Sequence, residues 1–89
     1  MRKFFLEEKL KKLLSKLFKK DQVLVEAVMK KIGEIANCED VSHYKNLRAP
    51  MQAFKRVHIK SSFVLIFKYN PADDSVLFYD LDHHDFIYR

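Results

Sequence analysis

The spacing of apolar residues changes once along this chain, close to Asn37. Before it, apolar side chains recur every three or four positions. After it, they alternate or run together. That single change calls for helices from the first part and strands from the second, with the sheet covering the apolar stripes of the helices. In residues 5–19, FLEEKLKKLLSKLFK, the stripe is Leu6, Leu10, Leu13, Leu14 and Leu17, with lysines opposite. Lys19 and Lys20 break the pattern, and Asp21 is suited to cap a second helix. In residues 22–36 the stripe runs Val25, Val28, Met29, Ile32, Ile35 and Ala36, with Gly33 weakening the helix somewhat. Two amphipathic helices joined by so short a turn form a helical hairpin.

FKRVHIK, residues 54–60, alternates, and SFVLIFKY is nearly continuous in apolar residues, as in a central strand covered on both faces. The two are separated by Ser61 and Ser62, or a little more if their ends fray, so they pair antiparallel. NPADDS is a turn signal, and SVLFYDL follows as a further strand. A short strand around Arg2–Leu6 adds an edge. The expected fold class is α+β, an N-terminal helical hairpin packed on one face of a small, mainly antiparallel twisted sheet, with the other face open.

The 89 residues suffice for one domain, 1–89, and not for two. No apolar run reaches the length of a membrane span. The basic start, MRKFFLEEKLKK, has charges where a signal peptide needs an apolar run. Cys38 is the only cysteine, so no internal disulfide forms and a reducing cytoplasm is expected.

The net charge of +5 says less than its distribution. No acidic residue lies between Asp40 and Asp73, while that window holds Lys45, Arg48, Lys55, Arg56, Lys60, Lys68, His43 and His58. A one-signed segment is the footprint of a phosphate-bearing or acidic partner. Strand alternation puts Arg56, His58 and Lys60 on one face. The plain reading of that face is solvated charge. The chemical reading is metal-independent RNA cleavage, in which a base takes the 2′-hydroxyl proton, an acid protonates the leaving oxygen and cations stabilise the phosphorane. His83 and His84 follow the last strand and reach the face only if the sheet twists and the tail curls over it. A zinc site from Cys38, Asp82, His83 and His84 lacks any supporting spacing. Phe63, Phe67, Phe78 and Tyr79 read as core before they read as base-stacking platforms. The lysines of the first helix read as a solvated face, with binding at a membrane surface as the lesser alternative.

The order of two helices, a basic strand, SFVLIFKY, an acidic turn and a last strand ending HHDFIY resembles the RelE/ParE superfamily of type II toxins. The resemblance covers nearly the whole chain and is best in YKNLRAPMQAFKRVHIKSSFVLIFKY and LFYDLDHHDFIY. Many relatives carry an arginine in the middle strand, where this chain has Val64. Many carry another after the last strand, where it has His84, followed by a tyrosine that Tyr88 matches. The pattern is closer to the histidine-using YafQ-like branch, with His58 and His84 matching its strand and tail histidines. Lys45 stands where that branch has a further histidine, and Arg56 where it has an acid.

The resemblance implies a ribosome-dependent mRNA endonuclease that cleaves in the decoding site and is neutralised by a cognate antitoxin. It implies no cofactor and no membrane. On that basis His84, His58, Arg56 and Tyr88 are the expected catalytic set. Lys45, Arg48, Lys55, Lys60 and His83 are the expected RNA contacts. Two other readings remain open: a ParE-type gyrase poison, which needs no histidine-rich site, and a non-catalytic RNA- or protein-binding module of the same fold.

Overall fold

The computed structural model describes residues 1–49 and 53–83. Strand β1 (Lys3–Leu6) leads into helices α1 (Glu8–Lys20) and α2 (Gln22–Asn37). A single 3-10 turn at Val41–His43 precedes β2 (Lys55–Ile59), β3 (Phe63–Asn70) and β4 (Ser75–His83). The strand order is β1-β4-β3-β2. The β2–β3–β4 meander is antiparallel, and β1 joins β4 in parallel at the edge.

The helices form as their sequence dictates. Asp21 ends α1 and caps α2, its carboxylate accepting from the Leu24 N–H at 3.1 Å. Leu10 and Leu14 of α1 and Leu24, Val25, Val28, Ile32, Ile35 and Ala36 of α2 are buried. All of these but Ala36 join Ile59, Leu65, Phe67, Val76, Phe78 and Leu81 of the sheet in one core. Met29, expected in the stripe, is instead 47% exposed. Leu6, also counted in the helical stripe, belongs to β1. A Cβ built on Gly33 meets nothing within 4 Å. Gly33→Ala is therefore expected to raise stability by about 0.5–1 kcal/mol, read as a higher urea midpoint at unchanged slope.

Three differences from the expected sheet matter for the site. First, β2 ends at Ile59, and Lys60 opens the turn with φ 55°. That left-handed residue breaks the alternation, so Lys60 does not share a strand face with Arg56 and His58. Second, β4 runs through His83, beyond the expected end at Leu81. Third, the face away from the helices is partly covered. Leu47, Val64 and Ile66 form a second buried cluster there, with Phe54 and Tyr79 packed against it. The segment before β2 makes this possible by running alongside it. Leu47 donates to the Phe54 carbonyl and Arg56 to the Lys45 carbonyl, both at 2.9 Å.

Candidate functional site

Sheet register decides which side chains share a face. Arg56 lies opposite Ile66, which lies opposite Asp80. His58 lies opposite Val64, which lies opposite Asp82. Arg56 and His58 therefore stand on the same face, on neighbouring rows, as the alternation of FKRVHIK predicts. His58 is exposed and Arg56 partly so. Lys45 is tied to this corner through the Arg56 N–H, and Arg48 is exposed just beyond it.

Other expected members go elsewhere. Lys55 has the opposite parity, and its ammonium donates to the Tyr44 carbonyl at 3.1 Å and to Asn46 Oδ1 at 3.0 Å. It braces the segment before β2. His83 lies opposite Phe63, whose ring is 5.7 Å from its own, and Phe63 packs against the helix-side core. Strand parity thus separates His83 from Arg56 and His58. Lys60 lines a groove beside the end of β2 together with His58, Lys30, Lys31 and Glu34. Glu34 is bound to Lys31 at 2.8 Å, which holds its carboxyl below the usual range. His84 and Tyr88 lie outside the described residues, so of the expected catalytic set only His58 and Arg56 are placed.

The field is less one-signed in space than in sequence. β4 brings Asp80 and Asp82 onto the Arg56–His58 face, two strands away, or roughly 10 Å. Asp80 is met there by Lys9 at 3.6 Å. Lys9 arrives because the Glu7 N–H bonds the Phe78 carbonyl at 2.9 Å, starting α1 beside the end of β1. Its ammonium also sits 3.8 Å from the centre of the Tyr79 ring. Burial pulls this ammonium down, but its contacts with Tyr79 and Asp80 outweigh that and leave it raised. A register shift between Ile66 and Phe67 makes Tyr79 a bulged residue, with Phe78 inward and Tyr79 on the second cluster.

Sequence reasoning missed Lys9, Lys30 and Lys31. Each reads as one more lysine on a solvated helix face, and only the packing of the hairpin brings them to the sheet edges. Among the described residues no group of three His, Cys, Asp or Glu side chains is arranged to hold a metal ion. The Cys38 thiol donates to the Ile35 carbonyl at 3.3 Å.

This arrangement can be set beside known proteins. No family model matches the chain. A protein of Methanocaldococcus jannaschii named "putative toxin RelE4" is 49% identical over 80 residues, covering 90% of this chain and 83% of that one. An uncharacterized protein of Methanosarcina mazei is 47% identical over 73 residues, covering 82% of this chain and 83% of its own. Among solved structures, a metal-bound toxin from Helicobacter pylori matches 99% of this chain and 100% of its own, with a TM-score of 0.76 and 19% identity. YafQ from E. coli matches over the whole of both chains, with a TM-score of 0.65 and 16% identity. The toxin–antitoxin complex RelBE2 from Mycobacterium tuberculosis matches 93% of this chain and 91% of its own, with a TM-score of 0.66 and 18% identity. At these identities the structural likeness is one of fold.

Proposed function

The chain belongs to the RelE-like family of type II toxins, and on that premise we propose that it is a ribosome-dependent endoribonuclease of the YafQ-like kind. The observation that carries this reading is the pairing of Arg56 and His58 on one sheet face, on neighbouring rows, in a chain of that family. The reaction is attack of a ribose 2′-oxygen on the adjacent phosphorus, with cleavage of the bond to the 5′-oxygen of the next nucleotide. It leaves a 2′,3′-cyclic phosphate and a 5′-hydroxyl. One group must take the 2′-hydroxyl proton and another must deliver a proton to the departing oxygen. His84 and His58 are assigned these two tasks. Arg56 neutralises the charge that builds on the phosphorane oxygens. Lys45 and Arg48 hold neighbouring phosphates, Tyr88 orients or stacks on a base, and Lys60 extends the path along the groove with Lys30 and Lys31.

With so sparse a titratable set, precise placement of the substrate falls to the ribosome. The cytoplasm is the compartment where such a target is met. A cognate antitoxin is the natural partner, as the RelBE2 complex has one, and it would neutralise the toxin by covering the cationic face.

Primer extension on mRNA from a translating extract tests the reading. Wild-type protein is expected to give codon-phased cuts, and His84→Ala to lose them. Phased cuts that persist in the variant would remove His84 from the site. Growth arrest in cells with no cuts at all would move the target to gyrase or another machine.

A further inference from the structure

Two aromatic rings stand on the Arg56–His58 face outside the main core. Phe67 and Phe78 are fully buried, whereas Phe54 and Tyr79 are partly exposed. Their ring centres are 4.8 Å apart, tilted at 43°. Buried Leu47, Val64 and Ile66 support them from beneath, which turns their remaining surface outward. A lysine attends each ring: Lys9 lies over Tyr79 at 3.8 Å and Lys68 over Phe54 at 5.8 Å. Phe54, the residue just before β2, packs on the same face as Arg56 two residues on, within roughly the 6–7 Å that two extended residues span. One extended nucleotide spans that distance.

We infer that Phe54 and Tyr79 form a stacking shelf for one unpaired base of single-stranded RNA, next to the phosphate held by Arg56, with Lys9 and Lys68 receiving the flanking phosphates. This inference rests on the nuclease reading above for the direction of the strand. An aromatic platform edged by cations fits a nucleotide in both its parts, since any base offers a ring face and any linkage a negative charge. Lys9 is half exposed and lies over the Tyr79 ring with Asp80 3.6 Å away. An arriving nucleotide exchanges partners with it, the base taking the ring and the phosphate taking the ammonium. The bulge sets Tyr79 and Asp80 on the same face, so the ring stands beside the carboxylate that meets Lys9.

The probe is a short single-stranded RNA carrying 2-aminopurine, whose fluorescence is quenched by stacking, beside an abasic RNA of equal length and charge. Tyr79→Leu keeps apolar packing on Leu47, Val64 and Ile66 but removes the ring, and Tyr79→Phe restores the ring. Wild type and Tyr79→Phe are expected to quench the base and bind it within about twofold of each other. Tyr79→Leu is expected to lose the quenching and weaken binding roughly five- to hundred-fold, with abasic RNA bound equally by all three. Quenching that survives in Tyr79→Leu overturns the shelf, as does equal weakening toward abasic RNA or no quenching in wild type. An unchanged RNA signal with loosened binding of the antitoxin would give the face to a protein partner instead. The two readings fail separately. Quenching without codon-phased cleavage removes the nuclease and leaves the shelf, and phased cleavage without quenching does the reverse.

Discussion

His58→Ala is expected to lower codon-phased mRNA cleavage roughly 10²- to 10⁴-fold while leaving the fold intact. That range is what a positioned acid or base contributes to proton transfer. The two halves of the expectation have separate grounds. His58 is exposed near the end of β2, so truncating it removes little packing, and its effect on stability should stay within about 0.5 kcal/mol. On the proposed reading its chemical value comes from standing one row from Arg56, where a phosphate bound by the guanidinium would bring its ester oxygens within reach. Single-turnover cleavage in a translating extract, paired with a urea melt, reads both. His58→Gln separates proton transfer from hydrogen bonding, because glutamine can hold an oxygen and cannot exchange a proton with it at neutral pH. A gyrase poison or a simple binding module would arrest growth, or bind, equally well without the imidazole. Full cleavage by His58→Ala would leave the strand histidine as a surface residue and shift the search to other proton carriers.

Arg56 and Asp80 show why the site was only half legible. Alternation within one strand is local, so FKRVHIK discloses the pairing of Arg56 with His58. The acid-free stretch before Asp73 discloses nothing about its neighbours across the sheet. Antiparallel return of β4 sets Asp80 and Asp82 on the same face, and register fixed by hairpin loops is not visible in charge spacing. Lys60 leaves the strand face for a local reason that composition hides: a lysine at φ 55° is uncommon, and nothing but the turn demands it. The helices were more readable because their caps and stripes are properties of adjacent residues. Asp21 needs only Leu24 to act as a cap. β1 was expected only as a short edge strand around Arg2–Leu6. Its parallel pairing with β4, by contrast, depends on contacts more than seventy residues away, such as Arg2 with Asp74.

That contact carries the largest stability effect expected in the molecule from a polar side chain. Arg2→Ala should cost about 3 kcal/mol, the scale of hydrogen bonds made by a charged group. The Arg2 side chain is only 8% exposed. It donates to the Ile35 carbonyl at 2.8 Å, the Cys38 carbonyl at 2.6 Å and Asp74 Oδ1 at 3.0 Å. The first two acceptors lie at the C-terminal end of α2, where carbonyls lack helical partners and the helix dipole favours a cation. The third lies in the β3–β4 turn, so one side chain binds strand β1, helix α2 and that turn together. Tyr69 completes the knot, its hydroxyl donating to the same Asp74 oxygen at 2.6 Å. The Tyr69 hydroxyl and then Arg2 hold the Asp74 carboxyl below its ordinary range. A depressed carboxyl stabilises the fold above its unfolded value of about 3.9 and loses that contribution as pH falls through the folded value. The gap between wild type and Arg2→Ala should therefore be constant near neutrality and narrow in acid. Arg2→Lys should recover little, because an ammonium cannot span three acceptors in a fixed plane. Urea melts from neutral to acid pH measure all of this. A cost below about 0.5 kcal/mol would mean that β1 is held by its ladder to β4 alone. A full cost would make Arg2 the anchor that sets where α1 begins, and through it where Lys9 meets Tyr79 and Asp80.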